Sequence, residues 1–528
     1  MRNSRRLFLR VLLAAAIGVS ARAAASAQVR VVNMIPRHMS DETFQNAEPS
    51  LAVNPRNVAR MAASAYTPGG DLCSRGAQAP IFVTADSGKH WSVACKIRVE
   101  ASSMLPPGDV SLSWSDDGKA LYAALLWPFT PLTLQVYQTT DPFSADDFVR
   151  LYRITDVDQP DIESVSIKGK PRVFVVADYF DADTGKHPLS KGTAVVIATQ
   201  PGSPSSADTT PIPVEQRKIF GRNYAIRVAA HSSGTVYALF YSPRKSNPKS
   251  PFVIEDVVVV RDDSAGAGKT PFTALRDLPA RQATDPCNGR DGLPGFRVAR
   301  CAIVPYPDFN DVASFGNERR VSANLSIAVD PERASNVWVS WADSVDANHY
   351  TLHVRRSLDA GQTWSDDLLT IPNATNPALA VGAAGNAGFL FQQLQGTGAN
   401  QRWVTRLLTS NDGYKTRREY TLATVPSNVP QPVIQPYIGD YIELRAVGQN
   451  FYGVFSAANT PDSLNFPNGV TFGRNADFAK HLLRNAHGGL TIGVSIDPFF
   501  FMVGPNEDRS CNALRAKRDP RALQIGCR

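Results

Sequence analysis

The sequence predicts an all-β protein in which one short unit recurs around a closed ring. Three observations lead there. Helical periodicity is scarce along the 528 residues, and short alternating or apolar runs between turn residues dominate. One phrase returns repeatedly: an alternating apolar strand, a polar or glycine turn, then a second strand rich in Val, Tyr, Trp or Phe. A turn motif also occurs twice at long range, as Thr84-Ala85-Asp86-Ser87-Gly88-Lys89-His90-Trp91 and Ser357-Leu358-Asp359-Ala360-Gly361-Gln362-Thr363-Trp364. Long-range recurrence is the mark of a repeat architecture.

The units follow in order. Ser50-Leu51-Ala52-Val53-Asn54-Pro55 opens the first. Ser111-Leu112-Ser113-Trp114 opens the second, followed by Leu121-Tyr122-Ala123-Ala124. Ser164-Val165-Ser166-Ile167 opens the third, ahead of Arg172-Val173-Phe174-Val175-Val176. Ile226-Arg227-Val228-Ala229 opens the fourth, and Ser326-Ile327-Ala328-Val329-Asp330-Pro331, a close echo of the first, opens the fifth. Ala378-Leu379-Ala380-Val381 and Tyr441-Ile442-Glu443-Leu444 open the sixth and seventh. The spacing is roughly 50 to 65 residues, the length of a four-stranded propeller blade, with one longer gap before the fifth unit. The expected fold is a single β-propeller of four-stranded blades, seven in number, or six if one unit is an inserted hairpin. A closed ring leaves no free edge. Either Val29-Arg30-Val31-Val32 or the stretch 490–503 is expected to supply the closing strand. The long gap holds an insert at about 281–320, rich in Gly, Pro, Asp and Arg.

In the turn motif each residue type has a job. Ser, Thr and Asp bond neighbouring backbone groups, Gly accepts positive φ, and Trp lays an apolar plate on the adjoining sheet. The motif S-x-D-x-G-x-T-W resembles the Asp-box, or BNR repeat, of the sialidase-type β-propellers. A third copy, Thr409-Ser410-Asn411-Asp412-Gly413, is read as degraded, with Thr416 where Trp would stand; Thr139-Thr140-Asp141 keeps only the start of a fourth. The resemblance implies six blades and places the boxes on outer turns, away from the catalytic face. It implies a glycoside hydrolase, or a propeller of that lineage that binds without hydrolysis.

The first 27 residues read as an address. Ser4-Arg5-Arg6-Leu7-Phe8-Leu9-Arg10 is a twin-arginine pattern, the apolar run after it is too short to span a bilayer, and Ala25-Ser26-Ala27 fits a cleavage site. An ordinary secretory signal with paired arginines is the alternative. Either way the expected location is periplasmic or secreted, with the propeller at 28–503, a tail at 504–528 and no transmembrane segment. The net charge of +7 owes five arginines to this leader. Without them 50 basic residues face 48 acidic ones, which gives no electrostatic case for nucleic acid or anionic membrane. The six cysteines fall into short-range couples, Cys73 with Cys95, Cys287 with Cys301, Cys511 with Cys527. In an oxidising compartment these are expected disulfides rather than a metal site, since neither CxxC nor HExxH spacing occurs. No cofactor is expected: G-x-S-x-G, P-loop, dinucleotide, haem and iron–sulfur patterns are all missing.

Propellers place ligands at the channel end where inner strands begin. Glu48, Asp109, Asp161, Asn324, Asn376 and Asp440 precede those strands, and carboxylates converging on one mouth raise one another's pKa. Alternatively they cap strand starts. Tyr441-Ile442-Glu443 places a phenol and a carboxylate two residues apart, on one face of a strand. The sialidase resemblance makes Tyr441 the nucleophile and Glu443 its base, with Asp109 and Asp440 as further acid/base candidates. The bland alternative packs Tyr441 into the core and pairs Glu443 with Arg445. The resemblance also implies an arginine triad for a substrate carboxylate. Arg227, Arg319 and Arg320 are its candidates here, while the family's first motif is met only by Met34-Ile35-Pro36-Arg37 in another order. The expected partner is a carbohydrate or glycoconjugate. The function reads as an exo-glycosidase or as a non-catalytic glycan- or protein-binding module.

Overall fold

The computed structural model describes residues 28–67, 72–73, 78–98, 107–128, 131–144, 148–180, 192–201, 210–215, 225–246, 252–277, 292–305, 315–318, 324–346, 349–431 and 435–504. The leader, residues 505–528 of the tail, Cys287, Cys511, Cys527, Arg319 and Arg320 lie outside them. Val29–Gly504 is one compact unit. Its described residues form six four-stranded sheets, one five-stranded sheet and a small three-stranded one. The expected seven blades are the seven larger sheets.

Blade 1 is Ala47–Val53, Met61–Tyr66, Gln78–Thr84 and Ser92–Arg98, in that order across the sheet. Blade 2 is Val110–Trp114, Leu121–Trp127, Thr133–Thr139 and Val149–Thr155. Blade 3 is Val157–Ile167, Lys170–Phe180, Gly192–Thr199 and Ile212–Pro213. Blade 4 is Ile226–Ala230, Val236–Ser246, Phe252–Asp262 and Phe296–Pro305. Blade 5 is Leu325–Asp330, Arg333–Asp346, His349–Ser357 and Leu369–Pro372. Blade 6 is Ala374–Val381, Ala387–Gln395, Arg402–Ser410 and Arg418–Pro426. The expected insert at about 281–320 therefore carries the outermost strand of blade 4. Its Cys301 is disulfide-bonded, as are Cys73 and Cys95 to each other.

Both expected closing strands are used. Blade 7 runs Glu443–Val447, Asn450–Ala458, Ile496–Gly504, then the N-terminal Gln28–Asn33, with Thr471–Phe472 added in parallel outside it. The ring is thus clasped by one strand from each end of the unit. A buried ion network holds that clasp. Arg474 reaches Asp497 at 2.9 Å and Glu42 at 2.9 Å, and Asn33 Nδ2 donates to Asp497 Oδ2 at 2.6 Å. Burial, with Asp497 nearby, pushes Glu42 up to about 8.

Neighbouring blades meet face to face through apolar side chains. Leu51, Phe82, Trp91, Tyr452 and Phe500 fill the junction of blades 7 and 1. Leu239, Val259, Leu275, Val339 and Trp341 fill that of blades 4 and 5. Full burial of one such side chain contributes about 1.5–3 kcal/mol, so packing holds blade to blade. The box turns seat these junctions. Each joins the third strand of its blade to the fourth. Ser357 Oγ donates to Asp359 Oδ1 (2.8 Å) and accepts the Gly361 N–H (2.8 Å). Thr84, Asp86 and Gly88 repeat the same bonds. Gly361 has φ +88 and lies against Leu275 of blade 4, while Gly88 has φ +78 and lies against Phe500 of blade 7. Trp91 and Trp364 pack beside them, in matching settings.

Two boxes differ from the sequence reading. In blade 6 the first position is Ser410 rather than Thr409, Asp412 is the carboxylate, and Tyr414 with φ +64 stands where Gly does elsewhere. Thr416 then matches Thr363 and not the Trp, because its N–H and hydroxyl both bond Asp412. Blade 4 has a box with the roles exchanged. Asp262 Oδ1 accepts the N–H groups of Ser264 and Gly266.

Candidate active site in the central channel

Each inner strand is an edge strand with one row of backbone groups turned to the channel. In blades 1, 3 and 6 it starts with a bulge at an X-Pro step. Glu48, Gln159 and Asn376 have positive φ, and pairing slips between Ala47 and Ser50, Asp158 and Asp161, Thr375 and Ala378. Proline donates no ladder bond, so an edge bulge is where it fits. After the bulge, alternate side chains enter the channel, which encloses a cavity of about 350 Å³.

Two tiers of side chains line it. Blades 1, 2, 5 and 6 contribute small ones: Ser50 and Ala52, Ser111 and Ser113, Ser326 and Ala328, Ala378 and Ala380. Blades 3, 4 and 7 contribute Asp161 and Glu163, Arg227 and Ala229, Tyr441 and Glu443, with Arg445 one step further. Blade 7 stands across the ring from blades 3 and 4, so the charged side chains meet across the channel, between the two small-residue pairs of blades 1–2 and 5–6.

The upper tier also ties the ring. Ser50 Oγ accepts the Leu112 N–H of the next blade at 3.0 Å. Ser111 Oγ accepts from Ile162 (3.2 Å), Asp161 Oδ2 from Val228 (3.1 Å) and Ser326 Oγ from Leu379 (2.8 Å). These clasps satisfy edge N–H groups that the sheet leaves over. Sequence reasoning missed them, although the recurring Ser at the head of units one, two and five was the signal.

Where the charged groups meet, the Tyr441 hydroxyl donates to Asp109 Oδ1 at 2.9 Å, and the Arg227 guanidinium lies 5.5 Å from the Tyr441 ring centre. Burial, then the carboxylates of Asp109, Glu48 and Asp440, push the phenol well above its usual range. It stays protonated and acts as a donor. Arg445 pairs with Glu163 at 2.7 Å and Glu443 at 3.2 Å, and also donates to the edge carbonyls of Leu51 (3.2 Å) and Leu112 (3.3 Å). Burial raises Glu443 to about 7; Arg445 pulls it down while Asp161 and Glu163 push it up. With 22% of its side chain accessible, Glu443 can exchange a proton with a molecule in the channel. A carboxyl group poised near neutrality is suited to general acid–base work.

The structure brings together Tyr441, Glu443, Asp161 and Arg227 as cavity-lining residues, and joins Asp109 to them through Tyr441. Tyr441, just ahead of the inner strand, and Glu443, which opens it, both reach the channel, yet their partners differ: Asp109 for one, Arg445 for the other. Glu48, Asn324, Asn376 and Asp440 are buried at the strand starts and do not line the cavity. Asn324 Oδ1 accepts the Asn376 N–H, and Asn376 Nδ2 donates to Gly439 O, which links blades 5, 6 and 7. Glu163 is the cavity residue that sequence reasoning overlooked. Its partner Arg445 lies 282 positions away, beyond any local signal. Among the described residues no group of three or more His, Cys, Asp or Glu side chains is arranged to hold a metal ion.

No protein-family model and no curated protein matches the sequence. Among solved structures, an α-L-arabinofuranosidase from Fusarium graminearum with an iminosugar inhibitor is 11% identical, covering 88% of this chain and 97% of its own, at a TM-score of 0.37. A Penicillium chrysogenum α-L-arabinanase complexed with arabinobiose is 12% identical, covering 90% and 98%, at 0.40. AofleA from Arthrobotrys oligospora is 10% identical, covering 76% and 94%, at 0.35. Likenesses this distant carry no argument; the propeller rests on its own strand order.

Proposed function

We propose that this chain is an exported propeller of the sialidase-like, Asp-box lineage that hydrolyses a glycosidic bond at the mouth of its channel. One observation carries the reading. A carboxyl group held near neutrality, Glu443, and a phenol bonded to a carboxylate, Tyr441 with Asp109, face the same cavity. Glu443 supplies the proton to the leaving oxygen. Tyr441, with Asp109 as acceptor for its proton, is placed to attack or to steady the sugar carbon, as an oxocarbenium-like transition state requires. The leader pattern supports export.

A second reading has an observation of its own. Arg445 engages Glu163, Glu443 and two backbone carbonyls, which is how a structural plug is built. On that reading the channel binds a glycan without turnover. A panel of aryl glycosides separates the two. Turnover by the mature protein that is lost in both Glu443→Gln and Tyr441→Phe supports hydrolysis. Absence of turnover across the panel defeats it, and turnover unchanged in both variants removes these residues from the site.

A further inference from the structure

We propose that the junction of blades 4 and 5 is a hydrogen-bond-donor subsite for the oxygens of an uncharged sugar, built from the Arg227 guanidinium and the Ile327 backbone N–H. The proposal rests on the carbohydrate reading of the channel and names its substrate class.

Four junctions follow one rule: a side-chain oxygen of one blade takes the edge N–H of the next. Arg227 occupies that position in blade 4, where Ser50, Ser111, Asp161 and Ser326 stand in theirs. A donor has replaced the acceptor. The edge N–H it faces is that of Ile327. Ala342 N bonds Asn324 O at 3.1 Å, which fixes the pairing phase of blade 5, so the Ile327 N–H turns away from the neighbouring strand. Among the described residues no side chain accepts it. Ile327 and Arg227 both line the cavity. Arg227 uses one donor on its own strand, at Ile226 O (2.9 Å), stacks on Tyr441 and forms no ion pair among the described residues. Two sets of donors thus line one junction without the acceptor that those four junctions supply; Ala378 of blade 6 offers no acceptor either but brings no side-chain donor, and the Tyr441 hydroxyl of blade 7 is spent on Asp109. A buried backbone N–H with no partner is costly, and a ligand oxygen answers it.

The surroundings choose the ligand's charge. Asp161, Glu163 and Glu443 line the same cavity, and Arg445 already answers two of them. An anionic ligand would meet this surplus of carboxylates. A neutral polyol accepts from Arg227 and Ile327 and donates its hydroxyl protons to the carboxylates. Ala328, Ala378 and Ala380 leave room beside them for the C–H face of a ring.

The test uses Arg227→Ser, which the repeat rule turns into a fifth clasp. Its expected effect without ligand is amide exchange about fivefold slower over Leu325–Asp330, the worth of about one hydrogen bond. Binding is then followed calorimetrically with methyl glycosides of glucose, galactose and arabinose beside those of glucuronic and N-acetylneuraminic acids. Wild type is expected to bind at least one neutral glycoside, and Arg227→Ser to bind it at least tenfold more weakly. Equal affinity in the variant, or tighter binding of the acidic glycosides by wild type, overturns the subsite. A saturating neutral glycoside should also slow exchange over Leu325–Asp330 in wild type and leave Val110–Trp114, already clasped, unchanged; no slowing overturns the proposal whether or not the variant folds. Loss of binding in Arg227→Ser without any aryl glycoside turnover keeps the subsite and defeats hydrolysis. Unchanged binding with turnover lost in Glu443→Gln does the reverse, and no binding of any glycoside sinks both.

Discussion

The box carboxylates on the outer turns and the carboxylates of the channel are the same functional groups with opposite fates. Asp359 accepts hydrogen bonds from Ser357 Oγ (2.8 Å), Thr363 N (2.9 Å) and Thr363 Oγ1 (2.6 Å), all within four residues. Asp412 is served in the same way by Thr416 and Ser410 and held down at about 2. Glu443 has a cation two residues away, yet burial and like charges from another blade hold it near 7. A turn that saturates its own carboxylate makes a structural piece. A channel that gathers carboxylates from several blades makes a group able to trade protons. Glu42 at the clasp, raised to about 8, sides with the channel: its local donor, Phe44 N, is outweighed by burial and the distant Asp497.

Breaking the channel side should have the largest effect. Glu443→Gln is expected to lower kcat on a turned-over aryl glycoside by about 10²–10⁴-fold. Wild-type rate should fall as pH rises through about 7, where the acid form is lost, and the variant should lack that limb. Next, Arg445→Met leaves Glu163 and Glu443 facing each other. The loss in a denaturation experiment is expected to reach about 3 kcal/mol, below the figure for a fully buried pair because the Arg445 and Glu163 side chains remain 23% and 25% accessible.

The clasp sharpens the comparison through pH. The folded-state pKa of Glu42 is raised from 4.5 to about 8, so the folded protein holds more protons between those values. Its contribution is full below the unfolded pKa and is lost as pH rises through about 8. The expected record is a Tm that falls by a few degrees between pH 6 and pH 9, more shallowly in Glu42→Gln; equal slopes would remove Glu42 as the cause. The smallest effect belongs to the rim. Asp359→Ala is expected to cost about 1 kcal/mol in the unfolding midpoint, with kcat untouched.

The blades were legible because their signals are local. Period-two strands such as Ser326–Val329 and short turns announce themselves within one unit, and seven openings became seven inner strands. The blade 6 box was misread by one position, since Tyr414 accepts a positive φ that a glycine pattern does not anticipate. The exchanged box at Asp262 escaped for another reason: it keeps Gly266, but Asp262 stands where the hydroxyl does elsewhere and Ser264 where the carboxylate does. In the channel, Tyr441 and Glu443 could be named from their spacing, but the Asp109 partner lies 332 positions from Tyr441.

The sequence by itself determined the repeated strand, the turn that ends it and the side chains each blade offers to the centre, because alternation and turn chemistry act between near neighbours. Only ring closure decided which of those side chains meet. It set Glu163 against Arg445, stood Arg227 over Tyr441 and left Ile327 beside a donor instead of an acceptor. Interactions between blades depend on a geometry that no single stretch of chain contains.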